Sequence, residues 1–326
     1  MKALTAIVNV AAATVMAVAP AAPAASAGLP RTLDLPVVEP TADLGTASIY
    51  FVGNATVILR YGGMTVLTDP NFLHKGDHVH LGYGLKSRRL TEPAMRIEQL
   101  PPIDFVLLSH FHGDHFDQLV EEKLNRRTPI VTTPDAARRL ADKGFEATYP
   151  LETWESMTFT KGTATLTVTS MPARHGPPVV AAALPETMGS LLEFGTRSGV
   201  GADGSAPRPA YRLYVSGDTL VYDDLQDIPR RYRDIDLALL HLGGTRVLGI
   251  LVTMDAGQGV EAMRLIDAAL SVPIHYDDYD VFESPLGDFQ QAVRAAGLEA
   301  RVKYVARGDT YTFSIPRGTA VPGGRR

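Results

Sequence analysis

The 326-residue sequence contains no cysteine. Disulfide staples, thiolate metal ligands, thiol nucleophiles and lipid-modified cysteines are therefore excluded. It has no surplus of positive charge either: 31 Lys plus Arg stand against 36 Asp plus Glu, whereas nucleic-acid binding draws on clustered basic residues. Low-complexity tracts and internal repeats are also missing, so nothing in the pattern marks a linker between domains or a solenoid. What is present, 45% hydrophobic and 21% charged residues over this length, excludes a disordered tail and suffices to bury a core without covalent help.

Lys2, the apolar run Ala3 to Ala19, Pro20 and Pro23, and then Ala25-Ser26-Ala27 follow the three-part order of a secretory signal peptide. The run is short for a membrane span of roughly 20 residues, and Thr5, Asn9 and Thr14 dilute it. The expectation is a signal over residues 1–27, cleaved near Ala27, and one secreted domain over residues 28–326 with no stable membrane span. A lone lysine without an Arg pair points to export as an unfolded chain, with any metal loaded outside the cytoplasm.

Past an extended, Pro-rich lead-in from Gly28 to Gly45, strands are expected at Ser48–Val52 and Thr56–Arg60. A hairpin turn at Tyr61-Gly62-Gly63-Met64 then leads into a strand at Thr65–Leu67. Further strands are expected at Phe105–Leu108, Ile130–Thr132, Met157–Phe159, Ala164–Val168, Ser190–Phe194, Tyr211–Val215 and Leu237–Leu240. Helices are expected near Phe116–Leu124, Pro134–Lys143, Gly257–Leu270 and Leu286–Ala296, and Gly195–Pro209 reads as a surface loop. Strands and helices alternate throughout, the pattern of an α/β architecture.

The densest chemistry lies directly after the buried strand Phe105–Leu108. Ser109-His110-Phe111-His112-Gly113-Asp114-His115-Phe116-Asp117 places three histidines and an aspartate within six residues. In an extended segment residues two apart point the same way, so His110 and His112 can grip one cation; Asp114 and His115, at the following helix start, can reach a second. Gly113 permits the tight turn between the pairs.

This segment resembles the His-x-His-x-Asp-His motif of the metallo-β-lactamase superfamily, at every position. The resemblance implies the remaining ligands: His175 in Pro172-Ala-Arg-His-Gly176, Asp218 in Ser216-Gly-Asp-Thr219, and His275 in Val272-Pro-Ile-His-Tyr276. By the same analogy His110, His112 and His175 hold one metal, Asp114, His115 and His275 the other, and Asp218 bridges. The implied fold is a four-layer αββα sandwich of two mixed β-sheets. Zinc suits an all-imidazole and carboxylate site, and without thiolate manganese or iron stay open. Two divalent ions roughly 3.5 to 4 Å apart lower the pKa of a bridging water towards about 7, which makes hydrolysis the default reaction.

Within the superfamily, zinc β-lactamases lack a bridging carboxylate where this chain has Asp218, and the oxygen-reducing di-iron branch has Glu in place of His112. The RNA-processing branch fits poorly with an acidic chain. Gly53-Asn54-Ala55-Thr56, the Gly62-Gly63 hairpin, Thr68-Asp69-Pro70, Asp114-His-Phe-Asp117 and Ser216-Gly-Asp-Thr219 resemble the branch of ascorbate-phosphate lactonases and the phospholipase D that cleaves N-acyl phosphatidylethanolamine. The expected substrate is thus a small molecule with a lactone or phosphodiester bond, the lipid phosphodiester being the alternative. A metal- or sugar-binding protein without turnover is a rival of another class. Intact Asp114, the proton-handling residue by resemblance, counts against it. Oligomeric state is not legible.

Around the ligands, Asp69 is expected to orient a ligand imidazole from behind, or else simply to open an Asp-Pro turn. His74, His78 and His80, with Tyr83 near, form a loop that either overhangs the site and touches substrate or is plainly solvated. His241, at the end of the strand Leu237–Leu240, is a candidate for substrate contact or leaving-group protonation, alongside a packed core role. Asp114, Asp218 and His241 make up the expected catalytic set. Arg88-Arg89 and Arg230-Arg231 read as solvated charges.

Overall fold

Alternation of side chains along single strands builds the layers. In a computed structural model describing residues 31–37, 43–82, 84–197 and 209–316, Phe105 and Leu107 point into one core, while Val106 and Leu108 point into another. Val57 and Leu59 separate from Ile58 in the same way, as do Val66 from Leu67. A strand with period two and apolar residues on both faces must be covered on both sides. One face meets a second sheet and the other meets helices.

The first sheet runs, edge to edge, through Thr310–Ser314, Thr46–Gly53, Thr56–Tyr61, Met64–Thr68, Phe105–Leu107, Ile130–Thr132 and Thr148–Pro150. The second runs through Arg31–Asp34, Ser156–Lys161, Ala164–Met171, Gly189–Thr196, Tyr211–Val215, Leu237–His241 and Leu270–Ile274. Each mixes antiparallel and parallel pairs. Aromatic contacts join the sheets: Phe105 stacks on Phe159 with ring centroids 3.7 Å apart, and Phe194 meets Tyr61 edge to face at 4.9 Å. Such pairs add about 0.5–1.5 kcal/mol beyond their burial. Helices Gln118–Lys123 and Pro134–Asp142 cover the first sheet through Val120, Ala136 and Leu140. Helices Ala256–Ile266 and Leu286–Ala296 pack against the second through Val260, Met263, Phe289 and Val293. This is the expected αββα sandwich.

The Gly62-Gly63 turn has both residues at positive φ, 54° and 77°, the geometry a two-residue hairpin requires. The helix expected near Phe116 starts at Gln118 because Asp117 caps it, its carboxylate accepting from Val120 N at 2.8 Å. The helix expected over Gly257–Leu270 stops at Ile266: Asp267 turns left-handed, and Leu270–Ile274 becomes an edge strand. An edge strand tolerates Pro273, which has no N–H to donate. Within the expected extended lead-in, Arg31–Asp34 is a strand paired with Met157–Thr160. Residues Gly195 and Thr196 of the expected loop extend a strand. The proposed signal 1–27, residues 198–208 and Tyr83 lie outside the described residues. Among those described, no helix is long and apolar enough to cross a membrane.

Candidate metal centre

Five loops and one strand end bring polar side chains together at one edge of the sandwich. Asp69 follows Met64–Thr68, the His110–His115 segment follows Phe105–Leu107, and His175 follows Ala164–Met171. Asp218 follows Tyr211–Val215, His241 closes Leu237–His241 and His275 follows Leu270–Ile274. These are the C-terminal ends of strands that run alongside one another, where open α/β sheets gather ligands.

Each histidine is aimed by its second nitrogen. Ser109 Oγ sits 3.0 Å from His110 Nδ1, which leaves His110 Nε2 facing His112 Nδ1 at 2.9 Å. His175 Nδ1 donates to the Val252 carbonyl (2.9 Å) and His275 Nδ1 to the Leu242 carbonyl (3.1 Å), so Nε2 of each carries a lone pair toward the site. His275 Nε2 lies 3.4 Å from Asp114 Oδ2. His115 Nε2 lies 3.4 Å from Asp218 Oδ2 and 3.7 Å from Asp114 Oδ2. Asp218 is central: its Oδ1 is 3.2 Å from His241 Nδ1, and its Oδ2 accepts from Thr253 Oγ1 at 3.1 Å.

Among the described residues four groupings have donor atoms within 4.8 Å of one another: Asp69 with His115 and His241, and three drawn from the seven expected ligands, namely His110 with His112 and His175, Asp114 with His115 and His275, and His110 with His115 and Asp218. All seven residues are buried, none more than 9% exposed. Yet Nε2 of His115, the nitrogen that faces Asp114 and Asp218, and Oδ1 of Asp114 lack a hydrogen-bond partner. Unpaired polar atoms in an interior are costly, and a cation bound by imidazole and carboxylate satisfies them. The donor set therefore fits divalent metal ions.

The electrostatics divide the site. Burial, reinforced by neighbouring imidazoles, pulls His110 well below the ordinary histidine range and His112 down to about 3; burial also lowers His175. For His115 burial acts downward too, but the carboxylates Asp218 and Asp114 outweigh it and raise the group well above its usual value. His275 is raised in the same manner, chiefly by Asp218. In Asp114 the upward push of burial is overcome by His115 and His275, which bring it to about 2. Asp218 is held well below the carboxylate range by His275 and His115.

Asp69 stands between Ser109 and His115. Its Oδ1 accepts from Ser109 N at 2.7 Å, and its Oδ2 lies 3.5 Å from His115 Nδ1. His80 lines a cavity of about 490 Å³ with His112, Phe111, Gln118, Glu121 and Arg139. Its neighbours do not: exposed His74 pairs with Glu92 at 3.1 Å, and exposed His78 offers only its carbonyl to Gln118. His241 is a second correction. It is wholly buried and bonded to Asp218, with Asp69 at 3.9 Å from Nε2, so it props the central carboxylate and does not reach the cavity. A third concerns Arg89, which is fully buried while Arg88, Arg230 and Arg231 are exposed. Asn54, Asn71, Thr253 and Asp278 also buttress the ligands and were not anticipated. Asn54 belongs to the Gly53-Asn54-Ala55-Thr56 stretch, and its positive φ of 52° suits an asparagine.

Known proteins resemble this chain over most of its length. The family described as "Beta-lactamase superfamily domain" matches residues 65–276. The chain is 32% identical over 269 residues to a UPF0173 metal-dependent hydrolase of Archaeoglobus fulgidus, spanning 82% of this chain and 99% of that protein. It is 26% identical over 242 residues to N-acyl-phosphatidylethanolamine-hydrolyzing phospholipase D 1 of Caenorhabditis elegans, spanning 70% of this chain and 63% of that one. Among solved structures, an isothiocyanate hydrolase from Delia radicum gut bacteria shares the fold with a TM-score of 0.66 at 21% identity, covering 82% of this chain and 99% of that one.

Proposed function

The chain belongs to the β-lactamase superfamily and is a metal-dependent hydrolase; from that premise we propose that it uses two divalent ions to hydrolyse a small ester-like bond, a lactone or a phosphodiester. The observation that carries this reading is the convergence of two three-residue clusters on Asp218, with orphaned ligand atoms between them. His110, His112 and His175 would hold one ion, Asp114, His115 and His275 the other, and Asp218 both. Bound there, the ions would supply hydroxide near neutral pH and polarise the bond under attack. Zinc suits the donors best.

The protein's own groups take the remaining tasks. Asp114 Oδ1, free of any partner, would accept the proton of the attacking water. Asp69 and His241 keep His115 and Asp218 aligned. The cavity beside His112, at about 490 Å³, lies within the range that holds small molecules, with His80 and Gln118 as polar contacts on its wall. The nematode relative favours a second reading at the same site, hydrolysis of a lipid phosphodiester. Residues 1–27 would send the enzyme out of the cytoplasm.

The test is a hydrolysis screen of lactones, phosphodiesters and carboxyl esters, each with and without a chelator. Chelator-sensitive turnover of a small lactone or diester supports the first reading. Turnover confined to N-acyl phosphatidylethanolamine in micelles supports the second. Turnover that a chelator leaves intact contradicts both.

A further inference from the structure

We infer that the buried ion pair Arg89–Asp278 is a positioning device for the Asp114, His115 and His275 cluster, acting through Asn71 and Asn54; this rests on the two-ion reading above. Both side chains are fully buried, with Nη2 and Oδ1 3.3 Å apart. The guanidinium also holds Asn71: Nη1 bonds its side-chain oxygen and, at 3.2 Å, its carbonyl. The Tyr279 hydroxyl donates to the same side-chain oxygen at 2.9 Å. Fixed in this way, the Asn71 amide is left to donate to the Gly113 carbonyl at 3.3 Å.

On the other side of the pair, Asp278 Oδ2 accepts from the backbone N–H of Asn54 at 2.6 Å. Asn54 passes the constraint on twice. Its side-chain amide donates to the Asp114 carbonyl at 2.6 Å, and its own carbonyl accepts from His275 N at 2.9 Å. Followed outward through the two asparagines, these bonds end on Gly113, Asp114 and His275. None of them ends on the side chains of His110, His112 or His175; Ser109 orients His110, Val252 orients His175, and His112 Nδ1 faces His110. Arg307 lies 3.2 Å from Asp278 Oδ1, so the carboxylate keeps one cationic neighbour when Arg89 is changed. What is then lost is the pair of Nη1 bonds to Asn71, which a lysine, a point charge without planar donors, replaces only in part.

The experiment is a stepwise zinc titration of the metal-free full chain against a competing chromophoric chelator, for wild type, Arg89→Met, Arg89→Lys and His275→Ala. Wild type should bind two ions. In Arg89→Met the step that His275→Ala removes should weaken roughly 10- to 100-fold, the cost typical of outer-shell partners, while the other stays within about threefold. Arg89→Lys should show the same selectivity at a smaller amplitude and decides the matter if Arg89→Met is not recovered folded. A merely structural role would weaken both steps together. Equal loss at both steps, or no loss, in the Arg89 variants of a wild type that binds two ions overturns this inference alone. A wild type that binds one ion overturns the two-ion reading and the inference with it.

Discussion

Replacing Asp69 by asparagine is expected to leave the fold intact and slow catalysis 10- to 100-fold, the range of a lost outer-shell contact. Both oxygens are engaged: Oδ1 takes the Ser109 N–H at 2.7 Å and Oδ2 faces His115 Nδ1 at 3.5 Å. Asparagine keeps one acceptor only. If its oxygen stays on Ser109, an NH2 group confronts His115 Nδ1 and disfavours the tautomer that presents Nε2 to a metal; if it flips, Ser109 N is stranded. Because Asp69 is buried, water does not step in. The 3.5 Å separation is long for a hydrogen bond, which puts the loss toward the low end of the roughly 1.5–3 kcal/mol expected for charge-assisted bonds. At about 1.4 kcal/mol per tenfold in rate this places the loss nearer to 10-fold than to 100-fold. The assay is kcat/KM on the substrate the screen selects, with metal content measured on the same preparation. Unchanged kcat/KM would refute the reasoning, and so would loss of both ions.

His112→Ala and His275→Ala should each abolish turnover, and metal analysis should find the first short of one ion and the second short of the other. Metal binding should also release protons unequally. His115 and His275, raised by their carboxylate neighbours, keep their protons to higher pH in the metal-free fold than His110, His112 and His175, which burial lowers. Affinity at the Asp114 cluster should therefore rise with pH as those protons leave, while the other cluster changes little between pH 6 and 8, about the range where an unperturbed histidine titrates; calorimetry in buffers of different ionisation heat reads the proton count. Fused to a reporter, residues 1–27 should direct secretion with cleavage near Ala27, checked by sequencing the exported N-terminus. An uncleaved fusion retained in the cytoplasm would count against export.

The part of the site readable from spacing was the part that is local. His110 to His115 fall within one turn-and-cap segment, so their convergence is written in six residues. His175, Asp218 and His275 come from separate loops and could be assigned only by resemblance, since nothing in their own neighbourhoods marks them as ligands. Arg89 reads as a solvated charge for the same reason: its partner Asp278 is 189 residues away, and a charge buried by a distant carboxylate looks like any surface arginine. His241 sits at a strand end, and only the tertiary position of Asp218 shows what it holds. Central strands such as Thr56–Tyr61 were legible from their apolar runs. Arg31–Asp34 and Thr310–Ser314 lie at sheet edges, are mostly exposed and carry little hydrophobic signal. At Leu270–Ile274 an apolar run following a helix has no period of its own to announce the change.

The central claim is that Asp218 joins two metal sites. The most direct measurement is elemental analysis of the purified, metal-loaded wild-type chain beside Asp218→Ala. The account predicts two ions per chain in the wild type, and in the variant a loss of metal together with loss of turnover. At most one ion per chain in the wild type, or full metal content and activity in Asp218→Ala, would contradict it.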